Sequence, residues 1–174
     1  MKKKIAILGS TGSIGTTSLK IFKKNKNKFD VTLLAANINY SLICKQIKLF
    51  KPKYYIIINE LVYKKVKKKF KNKKIKIVNN FEGLRNFKKT DITISAIPGI
   101  AGLKPTILMT QKSKKVLIAN KESIICGWEL IKKIAKKAKT KIVPIDSEHF
   151  SILKLLENHK LEDIKSIYLT ASGG

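Results

Sequence analysis

Apolar residues fall in short dense runs, separated by longer stretches in which they recur every three or four positions. The dense runs are rich in Ile, Val and Leu and lack strict alternation, the pattern of strands covered on both faces of a sheet. They predict strands at Lys3–Leu8, Phe29–Ala35, Tyr54–Ile58, Ile75–Val78, Ile92–Ser95, Lys115–Ala119, Lys141–Pro144 and Ile164–Thr170. The stretches of helical period predict helices at Ser13–Lys24, Ser41–Phe50, Glu60–Phe70, Phe81–Asn86, Gly102–Gln111, Lys121–Lys137 and Glu148–Asn158. This β-α alternation implies an α/β fold, a Rossmann-type doubly wound parallel sheet with right-handed crossovers. The 174 residues allow one domain, or one plus a fragment. No internal repeat is visible, and no low-complexity tract apart from a bias to Lys.

No apolar run approaches the ~18 residues of a membrane span, which excludes a membrane-spanning protein. Lys2–Lys4 followed by Ile5–Leu8 imitates a secretory signal, but the apolar stretch stops at Gly9, short of the ~7 to 15 residues required. Cys44 and Cys126 lie 82 positions apart without CxxC spacing, as expected of isolated reduced thiols in a cytoplasmic protein. Both read as small core residues.

A formal charge of +27 suggests nucleic acid as a partner, since clustered cations release counterions from phosphate. The distribution points elsewhere. Of the 38 basic residues all but Arg85 are Lys, whereas base-edge recognition favours the planar guanidinium. The lysines are spread along the chain, and Lys, Ile and Asn share A/T-rich codons, so a biased genome accounts for all three excesses. The densest run, Lys64–Lys74, has Val66, Phe70, Ile75 and Ile77 threaded through or beside it, which reads as a solvated helix face followed by a strand. No specific nucleic-acid partner is expected, although a basic nucleic-acid-binding module is the rival class.

Between the first strand and the first helix lies Gly9-Ser10-Thr11-Gly12-Ser13-Ile14-Gly15, a G-x-x-G-x-x-G pattern where a dinucleotide fold needs it. Glycines there permit a sharp turn, let backbone N–H groups approach a pyrophosphate, and let helix pack closely on strand. Thr11, Ser13 and Ile14 are the expected diphosphate lining; a tight turn with no ligand is the alternative. At the end of the second strand an NAD enzyme usually places Asp or Glu for the ribose hydroxyls. This chain reads Ala35-Ala36-Asn37-Ile38-Asn39, with no carboxylate to repel a 2′-phosphate, so NADP(H) is expected. Asn39 reads equally as a helix cap.

Two further polar clusters follow strands, at the sheet edge where open α/β folds bind ligands. One is Asn120-Lys121-Glu122-Ser123, which a solvated helix start would also use. The other is Pro144-Ile145-Asp146-Ser147-Glu148-His149. In extended chain Asp146 and Glu148 point to one side and present carboxylate oxygens to one Mg²⁺ or Mn²⁺, an incomplete site needing further ligands. Helix capping by Asp146, with Glu148 in the first turn, is the alternative.

Five motifs, in this order and spacing, resemble the 1-deoxy-D-xylulose 5-phosphate reductoisomerase family. They are the glycine loop, Gly99-Ile100-Ala101-Gly102-Leu103-Lys104-Pro105-Thr106, Ala119-Asn120-Lys121-Glu122-Ser123, Asp146-Ser147-Glu148-His149 and Leu169-Thr170-Ala171-Ser172-Gly173-Gly174. The resemblance covers the whole chain. It implies conversion of 1-deoxy-D-xylulose 5-phosphate, a phosphorylated ketose, to 2-C-methyl-D-erythritol 4-phosphate in non-mevalonate isoprenoid synthesis, with NADPH and Mg²⁺ or Mn²⁺. It places Thr11, Gly12, Ser13, Ile14, Asn37, Ile38, Asn39, Asn120 and Glu122 at the cofactor. Lys121, Ser147, Glu148 and Ser172 fall to the substrate, Asp146 and Glu148 to the metal, and Lys121 and Glu148 to catalysis. Residues 1–147 would form the NADPH-binding Rossmann domain and 148–174 the beginning of an α+β catalytic domain. The resemblance also implies a homodimer for a full-length member, and for this chain a truncated, inactive or partial form. Phe150, Ser151 and Lys154 depart from the family pattern beside the metal motif. Another NADP-dependent reductase is the rival enzyme, but it would need a catalytic Cys in a sheet-edge loop, and Cys126 falls inside a predicted helix.

Overall fold

The computed structural model of the chain describes residues 1–84 and 86–168. Its strands are β1 (Lys3–Leu8), β2 (Phe29–Ala36), β3 (Tyr54–Ile57), β4 (Lys76–Val78), β5 (Thr90–Ser95), β6 (Ser113–Ile118) and β7 (Lys141–Pro144). The helices are α1 (Ser13–Lys24), α2 (Tyr40–Phe50), α3 (Glu60–Lys69), α4 (Leu103–Gln111), α5 (Lys121–Ala138) and α6 (Ser147–Leu156). The strands form one parallel sheet in the order β4-β3-β2-β1-β5-β6-β7. The order reverses between β1 and β5, and the crevice above their carboxyl ends is the place where such sheets bind ligands.

The unbroken apolar runs divide between the two faces. Ile5 and Ile7 of β1 join Leu34, Tyr55, Ile57 and Ile94 in a core sealed by α1, α2 and α3. Ala6 and Leu8 join Leu33, Ala35 and Ile56 on the other face, under Leu84, Phe87 and Met109. A bulge makes this division possible. Ile5 pairs with Val31 but Ala6 pairs with Leu33, so Thr32 is the extra residue, and its Oγ1 donates to the Ile5 carbonyl at 3.1 Å. The inserted residue puts Val31 on the first face and Leu33 on the second, which a plain strand would not do. The lysine-rich α3 behaves as its pattern predicts: Val66 and Phe70 are buried while its lysines stay in solvent.

Four expectations are corrected. Among the described residues of 81–86 the expected α-helix does not form; Glu82–Leu84 makes a 3₁₀ turn, too short to propagate. The strand expected at Ile164–Thr170 does not form over Ile164–Tyr168, and positions 169 and 170 lie outside the described residues, as does the motif carrying Ser172. Cys44 is buried as expected, but Cys126 is exposed, on the outer side of α5. Asp146 and Glu148 do not share an extended segment, because α6 starts at Ser147 and puts Glu148 in a helical turn.

Candidate functional site

The glycine loop leaves β1 at the reversal point. Gly9 has φ +82°, and a Cβ there would lie 2.5 Å from the Ala96 carbonyl oxygen, so side chain and backbone geometry both demand glycine. At Gly15 a Cβ would run into the Gly9 carbonyl, which explains how α1 comes so close to the loop. Side chains of Asn39, Asn59, Asn120 and Asp146 cap α2, α3, α5 and α6. The α1 N-cap is Gly12, with no side-chain cap, so the first N–H groups of this helix keep their partial positive charge for a ligand.

Beside the loop opens a cavity of about 730 Å³, walled by Gly9, Thr11 and Gly12 on one side and by Ala96, Ile97 and Pro98 on the other. Asn37, Ile38 and Asn39 line its far end, together with Ile58 and the Asn79–Glu82 segment after β4. Asn39 serves both readings, since its Oδ1 accepts the Leu42 N–H at 3.1 Å while the residue lines the cavity. Among the described residues the one carboxylate in the lining is Glu82, and Lys104, also in the lining, pairs with it at 2.9 Å and holds that carboxyl below its ordinary value. Ser13 and Ile14 are exposed at the start of α1.

The site also depends on residues that sequence patterns did not single out. Beneath the loop, Ser10, Gln46 and Tyr55 form a buried hydrogen-bonded cluster. Burial pushes the Tyr55 hydroxyl well up, against the opposing effect of its Ser10 contact, so it stays protonated as a donor. Gln46 was invisible as a site residue because it occupies an ordinary helical position. The lining by Ile58 and Asn79–Glu82 had one usable signal: both follow strands at the ligand-binding edge.

Asn120 is buried, and its amide is fully engaged. Nδ2 donates to the carbonyls of Ile97 and Gly99, the latter at 2.8 Å, and Oδ1 accepts the Ser123 N–H at 2.7 Å. It therefore acts on the cavity through the Ile97–Gly99 wall. Glu122 and Lys121 are exposed at the start of α5.

A second polar group gathers at the carboxyl ends of β6 and β7. Lys121 Nζ lies 3.6 Å from Glu148, and the Ser147 hydroxyl donates to the same carboxylate at 2.9 Å. The Glu148 carboxyl is held below its ordinary value by its own backbone N–H first, then by Ser147 and Lys121. Asp146 Oδ1 accepts the His149 N–H at 2.9 Å and meets the His149 ring at 2.6 Å. Burial raises the Asp146 carboxyl, but the His149 contacts outweigh it and the net shift is downward. Among the described residues no three His, Cys, Asp or Glu side chains gather as a metal site. No helix in the same set is long and apolar enough to cross a membrane.

Residues 5–127 match the family model of 1-deoxy-D-xylulose 5-phosphate reductoisomerase, and residues 142–174 match the model of that enzyme's C-terminal domain. The 1-deoxy-D-xylulose 5-phosphate reductoisomerase of Pelagibacter ubique is 50% identical over 99% of this chain and 45% of its own length. The Zymomonas mobilis enzyme, solved in complex with NADPH, superposes with a TM-score of 0.79 at 30% identity, over 86% of this chain and 40% of that one. A reductoisomerase solved with NADPH, fosmidomycin and magnesium gives 0.78 at 32% identity, over 84% of this chain and 37% of that one. The chain spans about half the length of the curated relatives it matches.

Proposed function

The chain belongs to the 1-deoxy-D-xylulose 5-phosphate reductoisomerase family, and we propose that it binds NADPH as the cofactor-holding part of that metal-dependent reduction and rearrangement. The observation that carries this reading is the uncapped start of α1, opening with the glycine loop onto a dinucleotide-sized cavity at the strand-order reversal. NADPH, when bound, supplies the hydride. The N–H groups around Thr11–Ile14 hold its diphosphate, and Asn37, Ile38 and Asn39 surround the adenosine ribose with neutral groups that tolerate a 2′-phosphate. Asn120 fixes the opposite wall, and Glu122 faces the cofactor from the start of α5.

Lys121, Ser147 and Glu148, already in contact, form the substrate-facing group of the same proposal, with Ser172 as a further ligand for the substrate phosphate. Asp146 and Glu148 are the proposed ligands of Mg²⁺ or Mn²⁺. Two carboxylates fall short of what a hard cation needs, and one of them is a helix cap, so metal binding by this chain should be weak. A division into a cofactor domain at 1–147 and the start of a catalytic domain at 148–174, a homodimeric assembly and a cytoplasmic location complete the proposal.

Fluorescence titration of the chain with NADPH and NADH tests it. The expected result is saturable binding with clear preference for NADPH; equal affinity for both, or none for either, would overturn the reading. Calorimetric titration with Mn²⁺ should give weak binding, weaker still in Asp146→Asn. Tight binding that this substitution leaves unchanged would remove Asp146 from the metal site.

A further inference from the structure

We infer that Gln46 is a positioning residue for the diphosphate loop: from α2, it aims the Thr11 N–H into the cofactor cavity by holding the Ser10 carbonyl in the opposite direction. The inference rests on the NADPH reading of that cavity. Gln46 Nε2 donates to the Ser10 carbonyl at 2.8 Å, and the Ser10 hydroxyl donates back to Gln46 Oε1 at 2.8 Å. This reciprocal pair fixes side chain and carbonyl of Ser10 together. Those two bonds also fix which end of the amide faces which group, and Tyr55 adds a second donor to the same Oε1 at 2.6 Å. From β2, the Ala35 carbonyl accepts the N–H groups of Gly9 and Ser10 at 2.9 and 2.8 Å. Every polar group of Ser10 is thus held from beneath the loop, and Ser10, Gln46 and Tyr55 are all buried.

The consequence follows from peptide geometry. In a trans peptide the C=O and the next N–H point in opposite directions, and the chain contains no cis bond among its described residues. With the Ser10 carbonyl turned down to Gln46, the Thr11 N–H turns up, and Thr11 lines the cavity. The flipped peptide would present a carbonyl oxygen to an anion instead. Gln46 belongs to the helix whose start, at Asn39, borders the far end of the same cavity. Both ends of the proposed cofactor site are therefore tied to one rigid element.

The test compares NADPH with adenosine 2′-monophosphate, which carries the 2′-phosphate but no diphosphate. Binding to the chain and to Gln46→Met, Ser10→Ala and Tyr55→Phe is followed by titration, and the Thr11 amide by ¹⁵N NMR. Gln46→Met should weaken NADPH at least tenfold, leave the monophosphate within twofold, and shift the Thr11 amide. Ser10→Ala should show the same selective loss at three- to tenfold, and decides the matter if the Gln46 variant does not fold. Tyr55→Phe, which leaves the Gln46–Ser10 pair intact, should stay within threefold. Unchanged NADPH affinity, or equal loss of both ligands, would overturn the positioning role while leaving the NADPH site standing. Failure of the unsubstituted chain to bind NADPH would overturn both.

Discussion

Between β1–β4 and the helices α1–α3, the interior is mainly hydrocarbon, with the Ser10–Gln46–Tyr55 cluster as its polar inclusion: Ile5, Ile7, Leu34, Ile43, Ile57 and Val66 all lie within a few per cent of complete burial. Across the reversal point, under α4, buried hydroxyls share the interior with apolar side chains. The buried Val116, Ile118 and Ile131, with Leu103, Ile107, Ile124 and Ile142 packed against them, and Met109 of α4 share that space with the buried Thr90, Thr93, Ser95, Thr106, Thr110, Ser113 and Thr140. Each hydroxyl has one proton to give, so the bonds acquire a direction. Ser113 donates to the Met109 carbonyl at 2.6 Å, which leaves Thr93 as the donor in their 2.7 Å contact. Thr106 donates to the Gly102 carbonyl at 2.6 Å, which makes Ser95 the donor to Thr106 at 2.6 Å. The first half tolerates shape changes only at the cost of voids; the second tolerates them only if its donors stay paired. The two halves teach that one sheet can be closed by area on one side and by bond geometry on the other.

The largest expected effect is a cavity in the hydrocarbon half. Leu34 is fully buried in the main core, and Leu34→Ala should cost roughly 2 to 5 kcal/mol in urea unfolding. A loss below about 1 kcal/mol would mean that this half repacks freely, and the contrast with the hydroxyl half would disappear.

Next in size is a break in the hydroxyl network. Ser113→Ala removes the 2.7 Å acceptor of Thr93, leaving it the longer 3.1 Å contact with Thr90, and should cost about 1 to 3 kcal/mol, more than its few lost atoms account for. Thr93→Val combined with Ser113→Ala should recover much of that loss, since removing both partners leaves fewer orphaned groups. Strict additivity of the two substitutions would show that the network is a set of independent contacts.

The same contrast decides what could be read from the sequence. The strands of the hydrocarbon half stand out as apolar runs, and their predicted ends agree with the structure to within a residue or so. The apolar runs mark the starts of β5 and β6 two residues late, at Ile92 and Lys115, because Thr90 and Ser113 look like loop residues until their partners are in place. At the site, the glycine loop was legible because its chemistry is local. Gln46 was not, since its role depends on a residue 36 positions away. For Asp146 and Glu148 the sequence leaves two conformations open, an extended pair and a helix cap, and the capping preference of Asp146 decides it by starting a helix one residue later.

The smallest effect concerns the seam between the halves, where Asp91 of β5 reaches both neighbouring strands. Its Oδ2 accepts the Lys4 N–H of β1 at 2.8 Å, and its Oδ1 pairs with Lys114 Nζ of β6 at 2.8 Å. Lys114 first, and the Lys4 N–H second, hold the Asp91 carboxyl below its ordinary value. A carboxyl lowered in the folded state stabilises fully above its unfolded pKa of about 3.9 and loses that contribution as pH falls through the folded value. Lys114 is 74% exposed, so screening keeps the pair below about 1 kcal/mol. Asp91→Asn keeps an oxygen for Lys4 and loses only the charge. It should therefore lower stability by less than about 1 kcal/mol at pH 7, with the difference shrinking below about pH 4 and in high salt. Unfolding should remain a single transition, because the ladder between β1 and β5 still joins hydrocarbon and hydroxyl halves. Two separated transitions in the variant would show instead that this one carboxylate couples them.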